Sequence, residues 1–547
     1  NSPPVVEETE HRLPLTFSAI APAEPGKALA DPLELTFAAR ATASFPGAFP
    51  PLRLDEIDRL AADRAGGWPG RDTFVQRIMP AHARAGRAER VSLVDGSVLV
   101  NKPFDGAIRA LRGRPAQREV DRRFIYVDPR PDRIGSLDAS LDRPVGFFGA
   151  IFGSLSTIPR EQPIRDNLET IEQQSREADR LSRMIAALRP EVEAQVERLF
   201  GYTLFLDKPT PRRLAAWRNK AQLAAVQGAG YAFNSYAQAK FSGILEQLAQ
   251  VIHHAAPGLE LPGSAPIVTA LRAALTERGL GTLTGNSGSI SDEGVAFFRA
   301  HDIGFRVRRL RLLARRLARD WDADPEIDDA AVDAARDRIY AILALYFERE
   351  GDRTLGEGFE DAAAAVFDEP ARVLDMLSAR RLLPETDVLA EVRLAEALDA
   401  MPKNLRRRML LTYLGFPYYD VATLPLMKHE GLTEFDPIKV DRISPDDARS
   451  IREGGTRATL RGVEFYNFGA FFSRSYREND YLWGRLHGAE RMIDLVCSTV
   501  ESPLETDAVR GFKRRAFMAI LDEEEGRLTA DRAMLPRIRN EVLRKLG

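Results

Sequence analysis

An α/β segment followed by a mainly α-helical region is the fold class this sequence predicts, and three observations predict it. Short β-branched and aromatic runs closed by Pro, Gly or Asp fill residues 1–135, the pattern of short strands and turns. From residue 166 onward apolar residues recur at helical spacing. No internal repeat of fixed period interrupts either pattern. The 547 residues leave room for roughly three or four domains of ~150 residues each. The pattern shifts place boundaries near 135, 165 and 415. They separate the α/β part, a linker over 136–165, a helical domain over 166–415, and an aromatic-rich C-terminal region over 416–547 expected to pack with the helical domain.

Taken in order, Leu13 to Ile20 and Leu33 to Phe37 are short apolar runs between turn formers, expected as strands and short helices. Val91-Ser92-Leu93-Val94, broken at Asp95-Gly96 and resumed at Val98-Leu99-Val100, predicts a strand ending in a tight loop. Phe124 to Asp128, closed by Pro129, predicts a buried strand, with a helical segment over Asp105 to Leu111 before it. Pro144 to Pro159 carries no charge but falls short of the ~20 apolar residues a membrane span needs. Asp166 to Phe200 has a helical period with a break expected at Pro190. Further helices are predicted over Arg212 to His254, Ile267 to Arg278, Val295 to Trp321, Ala330 to Glu350, Ala371 to Arg381 and Asp387 to Tyr413. Beyond Gly415 the sequence becomes aromatic and irregular.

Charge and cysteine content narrow the function. With 77 Lys+Arg against 80 Asp+Glu, the net charge of -3 removes the bulk attraction to phosphate backbones, so nucleic acid is not an expected partner. The single cysteine, Cys497, forms no intrachain disulfide and no cysteine-based zinc site, which suits a reducing compartment such as the cytoplasm. Only ten of the basic residues are Lys, an imbalance read as compositional rather than functional. The opening Asn1-Ser2-Pro3-Pro4-Val5-Val6 has no initiator Met, no basic segment and no apolar core of a signal peptide. It predicts that something upstream is missing or has been removed.

Chemistry concentrates between Ala38 and Phe104. The small-residue string Ala38-Ala39-Arg40-Ala41-Thr42-Ala43-Ser44 closes on Phe45-Pro46-Gly47-Ala48-Phe49-Pro50-Pro51, and Val94-Asp95-Gly96-Ser97 then Asn101-Lys102-Pro103-Phe104 follow. A carboxylate on a Gly turn at a strand end can take a proton from a serine hydroxyl, although an Asp-Gly pair alone is only a turn signal. Together these strings resemble the second half of the patatin-like phospholipase domain. The resemblance implies a partial three-layer α/β domain, Asp95 as the carboxylate of a Ser-Asp dyad, and Gly96 and Ser97 as the active-site turn. Ser97 stands where the family often has a second Gly, a departure that a positive φ there would make uncomfortable.

The dyad's serine belongs in a G-x-S-x-G elbow, with a Gly-rich loop forming the oxyanion hole. No Ser in the chain has Gly at both flanking positions; Gly285-Asn286-Ser287-Gly288-Ser289 has the wrong spacing, and Gly66-Gly67-Trp68-Pro69-Gly70-Arg71 is not the oxyanion sequence. The nucleophile is therefore expected upstream of Asn1, leaving this chain alone catalytically incomplete. Four later strings, Leu411 to Asp420, Phe435 to Pro445, Phe468 to Arg474 and Asn479 to Gly488, resemble bacterial patatin-related proteins carrying a long C-terminal domain of unassigned function. The implied activity is lipid acyl hydrolysis on a lipid or ester substrate. A catalytically inactive membrane-docking or regulatory protein is the alternative.

Other constellations have bland readings. Phe305 to Trp321 holds seven Arg around leucines and would make a basic amphipathic helix able to lie on anionic lipid. The acids from Asp320 to Asp329 offer neutralisation within the fold instead, the commoner case for charged faces. Pro144 to Pro159 is open to shallow membrane insertion or to burial on the core, so a peripheral membrane contact stays open. Adjacent His253 and His254 cannot share a metal from one helix face, and Asp436, Asp441, Asp446 and Asp447 lack a calcium-loop pattern. Neither His11 nor His82 stands in a triad pattern. No metal or cofactor is required.

Overall fold

A computed structural model describes residues 11–17, 29–46, 49–64, 67–99, 104, 106–107, 110, 120, 122–129, 158–201, 208–259, 261, 263–283, 290–318, 327–350, 352–427, 438–464, 469–500 and 503–547; in the first turns of 158–200 only the backbone is described. Helices dominate, and the strands Arg123–Val127 and Lys439–Ile443 form a two-stranded sheet. The amide of Lys439 donates to the carbonyl of Arg122 at 3.0 Å and that of Asp128 to Ile443 at 2.9 Å, a parallel pairing. The chain divides into two compact units, one made of 1–109, 123–173 and 440–547, the other of 110–122 and 174–439.

In the first unit, Pro32–Thr42, Leu54–Ala62, Arg71–Ile78 and Pro80–Arg84 are helices. Asp31 caps the first, its Oδ1 accepting the Leu33 amide at 2.7 Å, with Pro32 at the first helical position. Leu33, Phe37, Leu52, Ile57 and Phe74 pack into one core in which Phe37 and Phe74 meet edge to face at 5.3 Å. Over the described residues 91–99 the expected strand is not formed. Leu93 makes only an isolated antiparallel bridge to Leu52, and residues 96–98 coil into a 3-10 turn. A β-branched run needs a partner strand of matching length, and Leu52 supplies one residue. The run after Asp121 does form a strand but not a buried one: Ile125 is 44% and Val127 69% exposed. A second core in this unit joins Arg474–Cys497, Thr506–Glu523 and Met534–Leu546 through Trp483, Leu486, Phe517 and Ile538.

In the second unit, helices Pro211–Ala229, Ala232–Ala255, Ala265–Leu275, Asp292–His301, Ile303–Ala318, Asp329–Glu350, Pro370–Arg381, Leu383–Asp399 and Lys403–Thr423 build two large apolar cores. Three expected long helices are each split: at Gly230 (φ 53), at Asp302, and at the Ala400-Met401-Pro402 segment. Gly supplies the left-handed turn at the first break. Asp302 restarts the chain at the second by accepting the Phe305 amide at 2.9 Å.

Two expected stops are overridden. The helix Ile158–Phe200 passes Pro190 without a break, and Lys403–Thr423 runs through Gly415 and Pro417 instead of ending near Tyr413. An interior proline costs ~3 kcal/mol, and burial of Ile185, Val192, Phe416 and Tyr419 in a shared cluster offsets it. Gly415 is needed there for close approach, because a Cβ would stand 2.6 Å from Val192 Cγ1. The uncharged segment 144–157, much of 105–111 and the aromatic string 465–468 lie outside the described residues.

Candidate functional site

Asp95 occupies the N-cap of the 3-10 turn Gly96–Val98. Its Oδ1 accepts the Ser97 amide at 2.8 Å, its carbonyl accepts the Val98 amide at 3.2 Å, and its own amide donates to the Ser44 carbonyl at 3.0 Å. The side chain is half-buried, and Oδ2 makes no hydrogen bond among the described residues. An oriented carboxylate with one free oxygen is what a proton acceptor requires. Gly96 has open space where a Cβ would stand, and Ser97 has no positive φ, so the Ser in place of a second Gly brings no strain.

Ser44 and its supports extend the site beyond what the motif marked. Fully buried Ser44 sits just past Pro32–Thr42, donating from Oγ to the Arg40 carbonyl at 2.9 Å and accepting from Arg40 Nη1 at 2.5 Å. Arg40 also forks onto Glu56 at 2.8 and 3.3 Å and reaches the Pro50 carbonyl at 3.3 Å. One guanidinium therefore ties the helix end, the following loop and Leu54–Ala62 around the residue that holds the Asp95 backbone. The i to i+4 spacing of Arg40 and Ser44 was available in the sequence, but Glu56 and Asp95 come together only in the fold.

The other candidates have ordinary partners. His11 and His82 are exposed. His253 bonds the Leu261 carbonyl at 3.2 Å. Asp441 pairs with Arg123, Asp446 accepts the Thr456 amide and Asp447 forks onto Arg442 at 2.7 and 2.8 Å; Asp436 lies outside the described residues. Among the described residues no group of three or more His, Cys, Asp and Glu is placed to hold a metal. Cys497 is a free, half-buried thiol.

The arginine-rich segment lies inside the fold, as the structural reading of its charges has it, and not on a lipid-facing surface. Helix Ile303–Ala318 is not an exposed basic face: Arg306, Arg308, Arg309, Arg311 and Arg316 are all buried. Two of them pair with carboxylates distant in sequence, and the acids from Asp320 to Glu326 lie outside the described residues. Arg308 forks onto Asp420 at 2.9 and 3.2 Å, and Tyr236 donates to the same carboxylate at 2.7 Å. Arg306 forks onto Asp387 at 2.7 Å twice, and Tyr346 adds a bond at 2.8 Å. Lys240 pairs with Asp302 at 2.7 Å while lying 4.1 Å from the Phe305 ring centroid. Burial alone would push Asp302 up, but Lys240 and Arg308 outweigh it and hold the carboxyl below its ordinary value. Burial and the neighbouring Asp420 push the Tyr236 phenol well up, so it stays a neutral donor.

Comparison with known proteins adds a coarse placement. A family described as a protein of unknown function (DUF3376) matches residues 371–521, so the C-terminal region carries a domain of unassigned function. The match takes in Asp387 and Asp420. An uncharacterized membrane protein of Mycobacterium tuberculosis is 22% identical over 548 residues, which is 90% of this chain and 48% of that protein. The chain thus spans about half the length of the curated relative it matches. No solved structure matches it. Among the described residues no helix is long and apolar enough to cross a membrane.

Proposed function

We propose that the chain belongs to a patatin-like lipid acyl hydrolase, a cytoplasmic serine esterase of the Ser-Asp dyad type. Residues 1–135 would be the later half of its three-layer α/β catalytic domain, and the helical remainder its appended domain. The observation that carries this reading is the Asp95 turn, where the amide of Ser97 orients one carboxylate oxygen and the other makes no hydrogen bond among the described residues. In the reaction, a serine outside this chain attacks the ester carbonyl and passes its proton to Asp95. Backbone amides stabilise the resulting oxyanion, and the proton goes to the departing alcohol. Water then attacks the acyl-serine and gives its proton to Asp95, which passes it to the serine oxygen as the C–O bond breaks and the carboxylic acid leaves. The test is ester turnover by the longer protein carrying Asp95→Asn. Loss of turnover with retained fold supports the reading, and wild-type turnover sinks it.

A second reading, a catalytically inactive membrane-docking or regulatory protein, is favoured by the membrane designation of the Mycobacterium tuberculosis relative. A serine-reactive fluorophosphonate separates the two. Labelling of the longer protein supports the hydrolase, and its absence alongside binding to anionic vesicles supports docking.

A further inference from the structure

Helix Ile303–Ala318 contains a buried guanidinium, that of Arg309, with no carboxylate partner among the described residues. Arg309 is only 5% exposed, yet among the described residues it has no ion pair and no hydrogen bond. Arg306 and Arg308, on the same helix, each fork onto a carboxylate. Of the three nitrogens of Arg309, only Nε is both sealed from water and unpartnered; the terminal pair carries no bond either and keeps access to solvent. Its plane lies over the Tyr413 ring with Cζ 4.5 Å from the centroid, and over the Phe305 ring at 5.6 Å. Stacking fixes the fork while leaving its edge donors unused.

The surrounding charges do not cancel. Asp387 and Glu391 lie within electrostatic reach of Arg309, but Asp387 is taken by Arg306 and Tyr346, and Glu391 by Arg218. Among the described residues, Arg218, Arg306 and Arg309 stand against Asp387 and Glu391, which leaves one positive charge on Arg309. Leaving a buried cation uncompensated is costly, and a ligand that brings two oxygens and one negative charge removes that cost.

We propose that Arg309 is the recognition residue of a small-oxyanion site in the unit 174–439, binding a monoanionic carboxylate or phosphate through its terminal nitrogens. The site is independent of Asp95 and does not rest on the hydrolase reading.

The full chain is titrated with sodium acetate and, separately, with inorganic phosphate, against sodium chloride at equal ionic strength, by calorimetry and thermal melting. At least one of the two oxyanions should give saturable one-to-one binding, and which of them binds identifies the acceptor geometry. Arg309→Gln should weaken that binding about tenfold or more, the scale expected for a bidentate charge-assisted contact. Glu391→Gln keeps Arg309 in place and removes a competing carboxylate, so it should tighten binding. The proposal is overturned if neither oxyanion exceeds chloride, if Arg309→Gln binds like wild type, or if Glu391→Gln weakens binding.

Discussion

The amide of Asp95 donates to the carbonyl of Ser44 at 3.0 Å. This bond joins two strings that the sequence separates by about fifty residues, and it divides the positioning of Asp95 into two parts. Ser44 holds the backbone, whereas the Ser97 amide holds the side chain at 2.8 Å. Because Ser44 is itself clasped by Arg40, and Arg40 by Glu56, the carboxylate's placement depends on residues that never touch it.

Two substitutions at Asp95 should separate charge from turn geometry. In Asp95→Asn an oxygen remains to accept the Ser97 amide, so stability should stay within about 0.5 kcal/mol of wild type, as for a change that keeps its hydrogen bond. Asp95→Ala removes the cap and should cost about 1 kcal/mol. Urea denaturation measures both, and equal losses in the two variants would mean that the charge, not the cap, holds the turn.

Arg40→Ala should loosen the site locally. It removes the guanidinium bonds to Ser44, Glu56 and Pro50, with an expected cost of about 1–2 kcal/mol for a half-buried charged donor. Hydrogen exchange gives the decisive readout: the Asp95 amide should exchange faster, while amides in helix Leu383–Asp399 should not change. Unchanged protection at Asp95 would show that Ser44 needs no support from Arg40.

How much of this was legible in the sequence depends on how far each determinant lies from its partner. The Asp95-Gly96 turn is local, as is the periodicity of Pro370–Arg381, and both are readable from neighbours. The break expected at Pro190 and the helix end expected at Tyr413 misled because the compensation comes from packing elsewhere in the fold, including the close approach of Gly415 to Val192. The partners of Arg306 and Arg308 were hidden for the same reason: the carboxylates of Asp387 and Asp420 stand 81 and 112 residues away. A one-dimensional pattern shows charge at helical spacing but not which charges will be desolvated together. Residues 91–100 have strand composition, yet a strand is a pairing property, and among the described residues only Leu52 pairs with them.

The buried pair Arg308–Asp420 gives a stability prediction. Asp420→Ala leaves Arg308 and the Tyr236 hydroxyl without their acceptor, and removing one member of a buried pair costs about 3–5 kcal/mol. The double variant Asp420→Ala with Arg308→Met should recover much of that loss, because the uncompensated charge is gone. A double variant as unstable as the single one would show that the pair contributes net attraction beyond mutual compensation.

Acid should weaken the fold through histidine before it reaches most carboxylates. Burial, aided by Arg381, pushes His301 down to about 3 from its ordinary 6.5, and Arg278 and Arg306 act in the same direction against Asp375. Burial pushes His487 down to about 4, with Arg452 helping. A depressed folded value means that the unfolded chain takes up the proton first. The stability contributed by each neutral histidine is therefore complete above pH 6.5 and lost as pH falls toward the folded value. Within pH 6.5 to 4.5 each should contribute a slope approaching 1.4 kcal/mol per pH unit, about one proton's worth. Asp302, Asp375 and Asp387, held below 3.8, begin to contribute only at lower pH. Glu350 and Glu391, raised by burial, act in the opposite sense and cannot produce the loss. His301→Phe keeps the contact with Phe297, and Nδ1 has no hydrogen bond to lose. Its stability should fall less steeply than wild type between pH 6.5 and 4.5 when followed by urea denaturation at successive pH values. Parallel curves for the two proteins would remove His301 as the source of the acid sensitivity.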